Sequence, residues 1–118
     1  MRTIIAGSRT ILRMAELEKA IEKASDMIQI SEVVCGKAKG VDSLGMAWAM
    51  MNQVPINYFP ADWKTFGKAA GYVRNKEMAE YADALIALWD GESKGTGHMI
   101  DIAGEKDLTI FVRILRRK

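Results

Sequence analysis

The stretch "ALIALWDGESKGTGHMID", residues 84–101, decides the fold. Residues 84–89 are the most continuously apolar run in the chain. Continuous apolarity marks a strand buried on both faces, as in a parallel sheet with helices above and below. The run passes into a polar loop with glycines, and a helical pattern, "TGHMIDIAGEKD", resumes at Gly95 and Thr96, weakened by Gly104. A helix entered this way has first N–H groups without intrahelical partners, and its dipole favours negative charge. The junction therefore invites an anion, with Asp90, Gly91 and Ser93 in the loop and Gly95 and Thr96 at the helix start.

Outward from this stretch, strands and helices alternate along the whole chain. "RTIIAG" (2–7) is a first strand ending in Gly7. Leu12, Ala15, Ala20, Ile21 and Ala24 recur at spacings near three and four, giving one apolar helical face, with Glu16, Lys19, Glu22 and Lys23 mostly on the other. "SEVVCG" (31–36) is a second strand, "VDSLGMAWAMMNQ" (41–53) a helix apolar on most sides, and "PINYFPAD" (55–62) a third strand framed by Pro55 and Pro60. A helix begins near Ala70 or Gly71, and "LTIFVRIL" (108–115) closes the series. Five strands joined by four helices through right-handed crossovers make an α/β fold: a three-layer α/β/α sandwich with a mostly parallel five-stranded sheet.

Composition narrows the function. The 118 residues, 49% hydrophobic and 27% charged, suit one compact domain. Seventeen Lys and Arg against fifteen Asp and Glu leave a net charge of +2, too small a surplus to mark a nucleic-acid protein by field alone. A lone cysteine, Cys35, excludes an intramolecular disulfide, and Met1 leads directly into the first strand without a signal pattern, so a cytoplasmic location is expected. No apolar run approaches the ~20 residues of a membrane span. With one histidine, His98, and no cysteine pair, no metal site is expected.

Ligands of doubly wound sheets bind beyond the carboxyl ends of the strands, where the strand order reverses. The first and fourth strands are the expected neighbours there. Three glycine-bearing loops leave strand ends on that rim. Gly7, Ser8 and Arg9 form one, in which Arg9 can hold a phosphate bidentately. Gly36, Gly40 and Asp42 belong to a second; Asp42 either caps the following helix or accepts from ribose hydroxyls. The loop from Asp90 to Thr96 is the third. Trp63 and Trp89 stand at strand ends, where an indole either stacks on a base or packs in the core. Lys64 reads as solvated, Cys35 as a small apolar residue, and the methionines as core or interface filling.

"AGSR", "CGKAKGVDSLGMAWA", "PADWKTFGKAAGYVRNKEM" and "ADALIALWDGESKGTGHMI" resemble, in order, the motifs of small single-domain proteins of the SLOG superfamily, named for the Smf/DprA and Lonely Guy families. The resemblance spans residue 3 to about residue 112. It implies a Rossmann-like domain over residues 1–113 that binds nucleotides or nucleotide-derived ligands, followed by a basic tail at 114–118. It also implies ligand contacts at Arg74 and Asn75, for which the alternative is a surface ion pair. The Lonely Guy branch hydrolyses the N-glycosidic bond of nucleoside monophosphates with an arginine and a glutamate. Here Met99 stands where that glutamate would, and methionine can neither take a proton nor stabilise an oxocarbenium-like charge. Asp101 lies roughly 200° further round the helix and does not substitute for it. Cys35 stands where the group commonly has a glycine.

The expected function is capture of a nucleotide or nucleotide-derived small molecule, for sensing or sequestration, with no further cofactor. One alternative is a phosphoribohydrolase or other N-glycosidase that recruits Asp42, Asp90 or Glu92. Another is single-stranded DNA binding along Arg9, Lys37, Lys39 and Arg74. The apolar helix at 41–53 offers a homodimer face.

Overall fold

The computed structural model describes residues 1–36 and 41–115. Five strands, β1 (Arg2–Gly7), β2 (Glu32–Cys35), β3 (Ile56–Tyr58), β4 (Ala84–Trp89) and β5 (Thr109–Ile114), alternate with helices α1 (Met14–Ala24), α2 (Val41–Met51), α3 (Trp63–Phe66), α4 (Ala70–Tyr81) and α5 (Lys94–Glu105). They form one sheet in the order β3-β2-β1-β4-β5, and every neighbouring pair is parallel. The sheet is thus wholly parallel, where the sequence led us to expect a mostly parallel one.

The continuous apolarity of β4 has the physical cause inferred for it. Its side chains alternate between two cores. Ala84, Ile86 and Leu88 face one side, against Leu17, Ala20 and Ala24 of α1 and Val41 and Ala49 of α2. Leu85 and Ala87 face the other, with Met78 and Ala79 of α4 and Met99 and Ala103 of α5. Three layers follow directly, and the strand at the centre must be apolar on both sides.

Two local expectations change. The buried stripe of α1 is Leu17, Ala20 and Ala24, whereas Leu12 precedes the helix and is 69% exposed, and Ala15 faces solvent. Glu16, read as a solvent-side residue, is drawn against the sheet by Arg113 of β5 at 3.2 Å. Between β3 and α4 the chain also makes a helical turn, α3, and a 3-10 turn at Gly67–Ala69, both unforeseen. Asp62 caps α3 by accepting from the Thr65 N–H at 3.1 Å, and Gly67 ends it at φ 55°.

The two rims differ in kind. At the amino ends of the strands, Asp83 accepts from the backbone N–H of Arg2 at 2.9 Å and pairs with its guanidinium at 3.3 Å. The Arg2 side-chain bond, followed by its backbone N–H, holds the Asp83 carboxyl below its ordinary range. That guanidinium also lies over the Tyr81 ring, and Tyr81 donates to Glu32. The rim is stitched shut by side chains. The glycine-bearing loops leave from the opposite rim. No helix among the described residues is long and apolar enough to cross a membrane.

At the carboxyl end of β1, Gly7 pairs with Leu88 of β4. A methyl group on Gly7 would lie 2.2 Å from the Leu88 carbonyl oxygen and 2.7 Å from a Val41 methyl. Its missing side chain is therefore required by the packing of β1 against β4 and α2. Gly7→Ala is expected to lower the unfolding free energy by about 3 kcal/mol, at the upper end of overpacking costs. A urea midpoint unchanged from wild type would refute that spacing.

Candidate functional site

Past Gly7 the backbone continues alongside β4, with the Ser8 N–H donating to the Leu88 carbonyl at 3.0 Å. The Ser8 side chain is buried and becomes the hinge between two loops. Its Oγ accepts from the Asp90 N–H at 3.0 Å and meets the Ser93 hydroxyl at 3.0 Å. Ser93 is also 2.9 Å from Asp90 Oδ2. Each hydroxyl has one proton, so when Ser93 donates to the carboxylate, Ser8 is the donor of the serine pair. Asp90 N–H, Ser8, Ser93 and the Asp90 carboxylate then close a ring in which every donor has an acceptor.

Asp90 Oδ1 accepts in addition from the backbone N–H groups of Ser93 and Glu92, both at 2.8 Å. These donors, Ser93 first and Glu92 second, pull its carboxyl down to about 2. Gly91 turns the loop at φ 83°. Asp90 and Gly91, both expected as ligand contacts, stand behind the cleft and shape the turn that feeds α5.

Ser93 occupies the N-cap of α5, yet its hydroxyl makes no capping bond to the helix. Among the described residues, nothing accepts from the N–H groups of Lys94, Gly95 or Thr96. Space beside Gly95 is open: an added Cβ would meet no atom within 4 Å. The Thr96 side chain lines the cleft and is 7% exposed, and its hydroxyl makes no hydrogen bond with any described residue. Gly97 packs flat on Trp89, whose indole N–H donates to the Ser93 carbonyl at 3.0 Å. Trp89 is thus a packing residue.

The start of α4 braces this arrangement from the other side. Asn75, buried, donates to the Gly95 carbonyl at 3.3 Å and lies 3.1 Å from His98 Nδ1. Arg74 Nε donates to Asn75 Oδ1 at 3.1 Å, and its Nη1 to the Gly36 carbonyl at 2.7 Å. A Cβ on Gly36 would collide with that guanidinium at 2.1 Å. Gly36 makes room for Arg74, not for a ligand. Arg74 forms no ion pair among the described residues, so the surface-pair alternative is corrected to a brace between β2 and α4 that also lines the cleft.

The outcome is a cleft of about 450 Å³ at the carboxyl ends of the strands. Of the residues singled out in the sequence, Gly7, Ser8, Arg9, Asp42, Arg74, Asn75, Ser93, Gly95 and Thr96 line it. Gly36, Asp90 and Gly91 do not line it, and Gly40 lies outside the described residues with Lys37 and Lys39. Trp63, Lys68 and Tyr72 also line it. Of these, Lys68 and Tyr72 were missed: the signal was their place in "FGKAAGY", just before and within the first turn of a helix whose start was correctly located. Met78 and Met99 are buried in the lining. Three cations, Arg9, Lys68 and Arg74, share the lining with one carboxylate, Asp42, among the described residues.

Comparison with known proteins agrees with this architecture. Residues 1–66 match the model of a family described as YAcAr, the YspA, cpYpsA-related SLOG family. The Gene 61 protein of Mycobacterium phage D29 is 43% identical over 85 residues, covering 67% of this chain and 68% of that protein. Among solved structures, the DNA processing protein A (DprA) of Streptococcus pneumoniae superposes with a TM-score of 0.74 at 17% identity, a likeness of fold. The match covers 94% of this chain and 49% of DprA, so the chain spans about half that protein's length.

The Asp90 ring carries a pH signature. Because its folded carboxyl lies below the ordinary value of 3.8, Asp90 contributes its full stabilisation above about pH 4 and loses it as the pH falls toward 2. Asp90→Asn is expected to cost about 1 kcal/mol at neutral pH, since a neutral acceptor replaces a charged one. The gap between wild type and variant should close between pH 4 and 2. Urea unfolding at four pH values measures both, and a gap independent of pH would contradict the ring.

Proposed function

The chain belongs to the YspA, cpYpsA-related SLOG family, and from that premise we propose that it binds a phosphate-bearing nucleotide or nucleotide-derived small molecule, for sensing or sequestration. One observation carries this reading. The unbonded amides of Gly95 and Thr96 at the start of α5 and the unbonded, accessible hydroxyl of Thr96 share a cleft with Arg9. Backbone N–H groups at a helix start, a hydroxyl and a guanidinium are the donors that phosphate oxygens accept from. The volume falls within the range of about 300–1,000 Å³ typical of small-ligand sites.

A second reading, an N-glycosidase, would need a carboxylate on the cleft, and Asp42 lines it. Asp90 spends its oxygens on its own loop, and Glu92 is exposed and off the cleft. Asp42, buried in the first turn of α2 and lining the cleft, is left as the candidate. Release of free base from a nucleoside monophosphate, lost in Asp42→Asn, would support turnover; no release supports binding alone.

Calorimetric titration with nucleoside mono- and diphosphates, ADP-ribose forms and cyclic nucleotides tests the main reading. Arg9→Ala is expected to weaken binding about 10-fold or more, the loss of one charged hydrogen-bond donor. Thr96→Val removes a hydroxyl that the folded protein leaves unbonded, so it should weaken binding about 3- to 10-fold while leaving the melting temperature unchanged or raised. A large drop in melting temperature, or unaltered affinity in both variants, would count against the site.

A further inference from the structure

The lining of the cleft includes two aromatic side chains. Trp63 is 60% exposed and Tyr72 49% exposed, and both line the cavity. Large aromatic surface left in water beside polar groups marks a binding surface more often than a packing error. Both rings are held in place. Trp63 opens α3, which Asp62 caps, and its indole reaches the bare flank of Gly71, 4.0 Å from where a Cβ would stand. Tyr72 meets the His98 ring at 4.5 Å between centroids and 74° between planes, and His98 is in turn fixed beside Asn75. Inorganic phosphate or a sugar phosphate would leave these rings wet in a cleft of about 450 Å³. A planar, apolar-faced group attached to a phosphate would cover them, and the neighbouring Lys68 complements the same anionic ligand.

We propose that Trp63 and Tyr72 form a stacking platform for a nucleobase, so that the ligand lies with its phosphate on the α5 amides and its base against this lip. The proposal rests on the nucleotide-binding reading above and adds the side chains that hold the base. Stacking tolerates any base, because each presents a π-face, so the platform selects nucleotides over sugar phosphates without fixing base identity.

Calorimetry of the full chain with AMP and with ribose 5-phosphate separates the two levels. AMP is expected to bind at least about 10-fold more tightly. Trp63→Ala and Tyr72→Ala should each remove most of that advantage while changing ribose 5-phosphate affinity by less than about 2-fold, and Trp63→Phe should retain it. Phe66→Ala, an exposed aromatic of α3 that does not line the cleft, should alter neither ligand. Equal affinity for the two ligands in wild type, or equal loss of both in Trp63→Ala, overturns the platform alone. Binding of neither ligand overturns the phosphate reading and the platform with it.

Discussion

At the centre of the sheet, β1 and β4 approach so closely that the Leu88 carbonyl occupies the space a Gly7 side chain would need. The site is built outward from that contact. From β1 the chain turns toward α1 on one face, and from β4 toward α5 on the other, so the two loops diverge from a common point and leave a crevice between them. Any side chain at Gly7 would push the strands apart, withdraw Ser8 from Leu88, and unhook the loop that Ser8 anchors. The glycine reads like a ligand-approach residue in sequence, but its first duty is to the sheet.

Ser8 then explains why the α5 amides are free. A serine before a helix ordinarily turns its hydroxyl onto the first turn. Ser93 is in that position, but Asp90 and Ser8 claim its hydroxyl, which locks the loop against β1. The loop is made rigid by bonds that do not involve the helix start. The amides of residues 94–96 are therefore held in place and left unquenched, so an anion meeting them requires no displacement of a protein partner. Donors fixed beforehand bind more tightly than donors that must be ordered by the ligand.

Much of this was legible in the sequence, for identifiable reasons. Short apolar runs placed the strands and period-3.6 apolarity the longer helices, because each of those elements must bury apolar side chains. The doubly wound pattern placed β1 beside β4, as observed. What failed was local. Leu12 fitted the α1 spacing, but the spacing of apolar residues cannot show where a helix begins, and the true stripe runs through Leu17. Glu16 belonged to the buried edge because of Arg113, 97 residues away, a partner no local pattern exposes. α3 is four residues long, too short to display a period. The glycines were ambiguous in principle: Gly7, Gly36 and Gly95 look alike in sequence, while in space the first yields to backbone, the second to Arg74 and the third to open cleft.

The cleft's charge balance bears on whether a bound nucleotide would be turned over. Cleavage of an N-glycosidic bond needs a carboxylate near the sugar to take up developing positive charge or a proton. Asp90 is close in sequence, but its oxygens are bound to three donors of its own turn, and a carboxyl held near 2 is a weak acceptor of a proton. Met99 puts an apolar floor beside the α5 amides, where a glutamate would have placed a negative charge near a bound phosphate. A thioether at that place, where a carboxylate would carry charge, supplies no acid or base. It also adds no repulsion and lowers the local dielectric, and both effects strengthen the remaining donors toward an anion. A methionine at this place thus suits the holding of an anion and offers no group for its turnover.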